Sequence, residues 1–265
     1  MMETFSMFVD PTSLVLVFVP LLVTCVSLWF ACNAKWSVLF KDLGLPLGLF
    51  WSVLGATGVV LHMTDVETVG PITGLMLLTI IYGGIVSALG HFSMLKRSEQ
   101  LSPNNQQFAS WKAIILILVP FAGLLGWAMD SAAGLRAFIN PVALTVFGTT
   151  IILAIFLSDS HYRVAALCQA SLLSAMISLV LGLVVLYTSF SGEGLNEGMY
   201  EGLSIAMSGL NYGLFSYICI YLLSYKFGTT ERIDASLMNW HWMEVTGFLF
   251  FMFFAPETLR ESLLH

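Results

Sequence analysis

Charge is scarce in this chain, and its scarcity excludes most soluble folds. Asp, Glu, Lys and Arg make up 10% of the 265 residues, hydrophobic residues make up 58%, and the mean hydropathy is +0.88. A soluble domain carries about 25% charged residues because its surface has to be solvated. The composition therefore predicts a chain that lies mostly within a membrane and leaves its charge to the loops.

Arrangements of residues for catalysis or metal binding are also missing from the sequence. The four cysteines stand in or at the ends of apolar segments without metal-site spacing, so we expect them to be small buried side chains. No phosphate-binding loop, Ser-His-Asp or Cys-His arrangement, or nucleic-acid signature occurs. We therefore expect no enzymatic activity, no cofactor and no nucleic-acid partner.

What the chain has in abundance is apolar runs long enough to cross a bilayer, for which a helix needs about 20 residues. Seven such runs are predicted, near 12–32, 44–63, 72–95, 111–129, 137–157, 165–188 and 203–225. With these boundaries no run holds Asp, Glu, Lys or Arg in its middle. The sequence thus predicts an all-α integral membrane protein with seven transmembrane helices and no intramembrane carboxylate of its own.

Charge is divided between the two ends of the predicted runs. Lys and Arg gather at one side of the predicted membrane, and Arg136 is the only such residue at the other. Since positive residues mark the cytoplasmic side, the N-terminus is expected outside and the C-terminus in the cytoplasm. Five acidic residues are expected at an outer mouth: Asp65, Glu67, Glu193, Glu197 and Glu201. They would either concentrate cations or belong to solvated outer loops, and the glycines around the last three favour a loop.

The sequence repeats itself at a distance of 130 residues. Distinctive residues fall in one register: Pro11 with Pro141, Tyr82-Gly83 with Tyr212-Gly213, and Lys96 with Lys226. Chance alignment of apolar helices explains matching leucines, but not these residues together. We interpret the pattern as two parallel repeats, a three-helix unit (1–97) and a four-helix unit (111–228), joined by a cytoplasmic linker (98–110).

The C-terminal segment, 229–265, holds an apolar stretch of about eleven residues that ends at Pro256 and is too short to cross a bilayer. Trp240, Trp242 and a cluster of phenylalanines surround this stretch. We expect a helix that lies in the cytoplasmic interface or packs along a partner.

Several segments resemble the MotA/PomA family of flagellar stator subunits, within the MotA/TolQ/ExbB superfamily. MFVDPTSLVLVF (7–18) is similar to the start of that family's second span, with F-x-D-x-x-S before a Val-rich helix. Residues 54–89 look like its third and fourth spans, with a short acidic outer loop, Gly-Pro at the start of the last helix, and L-L-T-x-x-Y-G within it. The second half is similar in layout, with NPVALTVFG (140–148) and GLNYG (209–213) at the equivalent places.

The resemblance implies a subunit of an ion-driven complex in the bacterial inner membrane, with H⁺ or Na⁺ as the coupling ion. Copies would form a ring of helices around a MotB- or ExbD-like single-span partner that carries the ion-binding aspartate. The resemblance places six residues at the pore or the partner contact: Thr57, Thr79, Tyr82, Gly83, Tyr212 and Gly213. The alternative is packing, since a threonine in a membrane helix bonds its own helix's carbonyl and glycines mark close helix contacts.

Two departures from the family leave other functions open. Stator subunits carry a large cytoplasmic domain between the second and third spans, whereas the connections here are 33–44 and 158–164. The paired threonines of the family's last span become Thr79-Ile80 and Gly209-Leu210. The chain is then either a non-conducting structural or assembly protein of a flagellar or envelope machine, or a small-solute transporter with parallel repeats.

Overall fold

The computed structural model describes residues 10–61, 66–95, 109–160, 162–189, 197–227, 245 and 247–248. This part of the chain is helical and contains no strand. Its seven α-helices are α1 (Pro11–Cys32), α2 (Trp36–Leu61), α3 (Val66–Leu95), α4 (Trp111–Ala133), α5 (Pro141–Leu157), α6 (Arg163–Thr188) and α7 (Glu197–Phe227). A short 3-10 helix, Leu135–Phe138, precedes α5.

Each helix overlaps one of the predicted apolar runs. Six of them are long and apolar enough to cross a membrane, and α5, with 17 residues, is a shorter apolar helix. The chain is therefore a multi-pass membrane protein whose described residues are all-α. Three predicted starts are wrong, because α2, α3 and α7 begin at Trp36, Val66 and Glu197 instead of near 44, 72 and 203.

The starts of α1 and α5 are fixed by the same local chemistry. Each helix has a proline in its first turn and an Asx residue as its N-cap. The Asp10 side chain accepts a hydrogen bond from the Ser13 N–H, and the Asn140 side chain accepts from the N–H groups of Val142 and Ala143. Side-chain caps of this kind satisfy N–H groups that have no partner within the helix.

Close backbone contact joins α2 to α3 and α6 to α7. A methyl group built on Gly83 would lie 2.5 Å from the Gly44 carbonyl oxygen and 2.9 Å from the Gly48 Cα. In the other pair, a methyl group on Gly202 would lie 2.6 Å from the Gly182 carbonyl oxygen. Only glycine allows helices to approach so closely, which is how helices associate in a membrane without a hydrophobic driving force.

The two close pairs meet through α2 and α7, and α4 packs beside them. Phe50 on α2, Phe121 on α4 and Phe215 on α7 form an aromatic cluster with ring centroids 5.9–6.2 Å apart. Such a cluster fixes the three helices by offset aromatic contacts and by burial. Most side chains of α5 face outward, away from the other described helices.

Two predicted segments are described only in small part. Of the linker, 98–110, the structure describes Ala109 and Ser110, which caps α4 at Ala113. Of the C-terminal segment it describes residues 245 and 247–248, and Phe248 is buried.

The described C-terminal residues do not lie at the end of the helical bundle. A methyl group on Gly247 would lie 2.9 Å from Leu179 Cδ2, in the middle third of α6. These residues pack against a helix of the same chain, and the prediction of a helix in the cytoplasmic interface or along a partner stays a prediction. The remaining residues of that predicted helix lie outside the described ones.

Candidate functional site

A carboxylate lies inside the helix bundle where the sequence predicts none. Because α2 begins at Trp36, Lys41 and Asp42 are part of that helix and of its candidate membrane span, Trp36–Thr57. The sequence assigns them to the cytoplasmic connection 33–44. The assignment of Asp42 to a connection is therefore wrong, whereas the expectation that no span holds a carboxylate in its middle stays a prediction, because Asp42 lies in the second turn of α2.

Asp42 is held by three groups from two helices. The Tyr221 hydroxyl on α7 donates to Asp42 Oδ2 at 2.7 Å, and the Lys41 ammonium lies 3.2 Å from Oδ1. The Tyr217 hydroxyl donates to the Asp42 carbonyl oxygen at 3.4 Å. The Asp42 side chain is 19% exposed, so its charge is largely removed from solvent and depends on these partners.

Three tyrosines of α7 continue this polar group along the helix. Tyr217, Tyr221 and Tyr225 are spaced four residues apart, so they share one helix face. The rings of neighbouring tyrosines lie 6.0 and 5.8 Å apart, and the hydroxyls of Tyr221 and Tyr225 are 3.4 Å apart. We call Lys41, Asp42, Tyr217, Tyr221 and Tyr225 the Asp42 cluster.

The Asp42 cluster brings together groups that can each hold a proton. A carboxylate, an ammonium and phenol hydroxyls within hydrogen-bonding distance can redistribute a proton without rearranging the backbone. The cluster is not predicted from the sequence, because Lys41 and Asp42 are charged residues next to an apolar run and are assigned to the connection before it. The four-residue tyrosine spacing in α7 was the available signal.

A second polar contact between α2 and α7 involves Thr57, one of the predicted site residues. Its hydroxyl donates to the Val53 carbonyl at 3.0 Å, and it accepts from Asn211 Nδ2 at 3.4 Å. Asn211 is 6% exposed, and its Oδ1 has no hydrogen-bond partner among the described residues. A buried carbonyl oxygen without a hydrogen bond costs free energy of folding. The hydrogen-bonding capacity of Asn211 is therefore only partly satisfied.

Thr79 and Gly83 are enclosed in the contact between α2 and α3. The Thr79 hydroxyl donates to the Met76 carbonyl at 2.8 Å, and the residue is 3% exposed. Gly83 faces backbone atoms of Gly44 and Gly48. Within a single chain both residues have the geometry of the packing alternative, and a contact with a partner stays a prediction.

Tyr82 and Tyr212 make matching hydrogen bonds in the two halves of the chain. The Tyr82 hydroxyl accepts from the Asp10 N–H at 3.3 Å, and the Tyr212 hydroxyl accepts from the Asn140 N–H at 3.0 Å. The partners are 72 positions apart in both cases. Tyr82 therefore joins α3 to the N-cap of α1, and Tyr212 joins α7 to the N-cap of α5. Both of the capped helices begin with the repeated proline.

Gly213 and the Tyr212 hydroxyl complete the second half's contacts. Gly213 faces Ser171 and Ala175 of α6, and the Tyr212 hydroxyl donates to the Phe138 carbonyl at 2.6 Å. Gly209, which stands 130 positions after Thr79, faces Ser178. At these two positions the second half has Gly209 and Ser178, whereas the first half has Thr79 and Gly48.

The predicted outer mouth is described only in part. Asp65 and Glu193 lie outside the described residues, and Glu67 and Glu197 lie in the first turns of α3 and α7. Glu201 is exposed on α7. The loop expectation is wrong for Glu197 and Glu201, because the helix begins at Glu197 despite the neighbouring glycines.

Fold and site together define the class: a multi-pass α-helical membrane protein with a half-buried carboxylate between its second and seventh helices. Comparison with protein-family models, with curated proteins and with solved structures finds no match to this chain.

Proposed function

We propose that the chain is a MotA/TolQ/ExbB-like membrane subunit of an ion-driven complex in a bacterial inner membrane. In this proposal seven helices cross the membrane as two parallel repeats, with the N-terminus outside and the C-terminus in the cytoplasm. Copies of the chain form a ring around a MotB- or ExbD-like single-span partner. The paired hydrogen bonds of Tyr82 with Asp10 and of Tyr212 with Asn140 carry the proposal.

These bonds support it because they join the segments on which the resemblance depends. Asp10 and Asn140 belong to the DPTS and NPVA segments, and the tyrosines belong to the Tyr-Gly segments. The helix order α1–α2–α3 is repeated as α5–α6–α7, with close contact between the last two helices each time. Helix α4 is the additional helix of the second repeat.

The proposed mechanism is electrostatic coupling between the ring and the partner. An ion that binds the partner's carboxylate neutralises its charge and changes the contact between the partner helix and the ring. Tyr82 is half-buried on α3, and the space beside the neighbouring Gly84 is open. This is where the partner helix would approach, and Asp42 adds a carboxylate that belongs to this chain.

A second candidate function, a structural or assembly protein that does not conduct, is favoured by one observation. The hydroxyls of Thr57 and Thr79 both donate to carbonyls of their own helices. Neither hydroxyl therefore has its proton free for an ion path, and Gly209 supplies no hydroxyl in the second half. Such a protein would keep the helix ring and the partner but transport no ion.

Isolation of the full chain from its native membranes in mild detergent tests the proposal. Mass spectrometry of the purified complex should find several copies of the chain with a single-span protein that carries an aspartate in its membrane helix. A chain that runs as a monomer without such a protein would contradict both candidate functions. Ion flux from the reconstituted complex then separates the conducting function from the structural one.

A further inference from the structure

We propose that a pocket beside the turn between α1 and α2 binds the phosphate headgroup of an anionic phospholipid. The pocket has a volume of about 560 Å³ and opens at the surface. Its lining includes Trp29, Asn33, Lys35, Trp36, Ser37 and Ser93. The inference goes beyond the proposed function and does not depend on it.

The shape of the pocket follows from a tight turn. Asn33 has φ +52°, a left-handed conformation that asparagine tolerates better than most residues, and its N–H caps the end of α1. The turn places Lys35 and the start of α2 opposite Ser93, near the end of α3. The pocket therefore lies where the ends of three helices meet.

The charge of the pocket selects an anion. Lys35 is the charged residue of the lining, and no acidic side chain lines the pocket with it. In the described part of the chain the ion pair found is Lys41–Asp42, so Lys35 is not neutralised by an acidic partner there. The Asn33 amide and the Ser37 hydroxyl add hydrogen-bond donors for phosphate oxygens, whereas the Ser93 hydroxyl donates to the Leu89 carbonyl at 2.7 Å.

The surroundings of the pocket select an amphiphile. Trp29 and Trp36 are 47% and 41% exposed, as expected for indoles at the level of lipid headgroups. Exposed apolar side chains continue from the pocket along α1 and α3, among them Val26, Leu89 and Phe92. A ligand whose phosphate meets Lys35 can lay its acyl chains along these surfaces, which a free phosphate cannot use.

Native mass spectrometry of the purified full chain tests the proposal, with phosphatidylglycerol, phosphatidylcholine and inorganic phosphate as separate probes. Phosphatidylglycerol should bind with preference over phosphatidylcholine. The Lys35→Ala change should weaken phosphatidylglycerol binding about fivefold, the effect of one lysine at an anionic surface. Lys35→Arg should retain binding, because it retains the charge.

Lys112→Ala is the matched control, since Lys112 is an exposed lysine beside Trp111 at the start of α4. It should leave phosphatidylglycerol binding unchanged. Equal losses in Lys35→Ala and Lys112→Ala would show general attraction to anionic surface and overturn the site. Equal binding of the two lipids, or inorganic phosphate that competes as well as the lipid, would also overturn it.

Discussion

The Tyr221 hydroxyl donates a hydrogen bond of 2.7 Å to the Asp42 carboxylate, and this bond joins α7 to α2 across 179 positions of the chain. It links a helix of the first half to a helix of the second. Tyr221 and Lys41 both contact the carboxylate, which is 19% exposed. The bond is therefore a contact on which the arrangement of the two halves depends.

Tyr221→Phe should destabilise the protein by about 2 kcal/mol, the usual worth of a hydrogen bond to a charged group. The phenyl ring keeps its packing against Tyr217 and Tyr225, so the loss isolates the hydroxyl. Thermal unfolding of both proteins in one detergent measures it. Tyr187→Phe, at an exposed tyrosine of α6, should leave the unfolding temperature unchanged. Equal unfolding temperatures for Tyr221→Phe and the parent protein would show that the bond does not stabilise the fold.

Two neighbouring glycines of α3 should differ in their response to the same substitution. Gly83→Ala places a methyl group 2.5 Å from the Gly44 carbonyl oxygen, and a backbone contact of that kind costs about 1–3 kcal/mol. Gly84→Ala meets no atom within 4 Å and should change stability by less than about 0.5 kcal/mol. Thermal unfolding of the two variants checks the difference, and similar losses would argue against the close α2–α3 contact.

Tyr82→Phe and Tyr212→Phe should have effects of the same sign. Each change removes a hydroxyl that accepts from an N-cap N–H, a bond worth about 1 kcal/mol. Tyr212→Phe also removes the bond to the Phe138 carbonyl, so its loss should be at least as large as that of Tyr82→Phe. The two bonds have no residue in common, so the double variant should show the sum of both losses. Tyr200→Phe, at an exposed tyrosine, is the control. A large loss for one tyrosine and none for the other would contradict the equivalence of the two halves.

Thr57→Val and Thr79→Val should differ in stability although both remove one hydroxyl. Thr57→Val leaves the Asn211 amide without its partner, at a cost of about 1–3 kcal/mol. Thr79→Val loses a bond to the Met76 carbonyl of its own helix, and its cost should stay below about 1 kcal/mol. Unfolding measurements on both variants decide the matter, and a larger loss for Thr79→Val would refute the role assigned to Asn211.

The positions of the helices could be predicted because their apolar runs are long. Helices α1, α4 and α6 begin within two residues of the predicted starts at 12, 111 and 165. Helices α2, α3 and α7 extend six to eight residues beyond the predicted runs, into polar or glycine-containing sequence. Tertiary contacts stabilise such an extension in α2, where the Ser87 hydroxyl donates to the Lys41 carbonyl at 2.8 Å.

The Asp42 cluster could not be predicted from local sequence. Nothing near Asp42 in the chain indicates that a tyrosine 179 positions away will cover its carboxylate. Tyr82 and Tyr212 could be singled out from the sequence, because they occupy the same position in the 130-residue repeat pattern. Their bonding partners, the N–H groups of Asp10 and Asn140, follow only from how the helices pack.

Ion uptake by liposomes shows whether the chain takes part in ion transport. The chain, purified with its single-span partner from native membranes, is reconstituted, and H⁺ and Na⁺ uptake are measured under an imposed membrane potential. Uptake of one of these ions should exceed that of empty liposomes and should be lost when the partner's membrane aspartate is replaced by asparagine. Uptake equal to that of empty liposomes for both ions would contradict the claim that this chain belongs to an ion-driven complex.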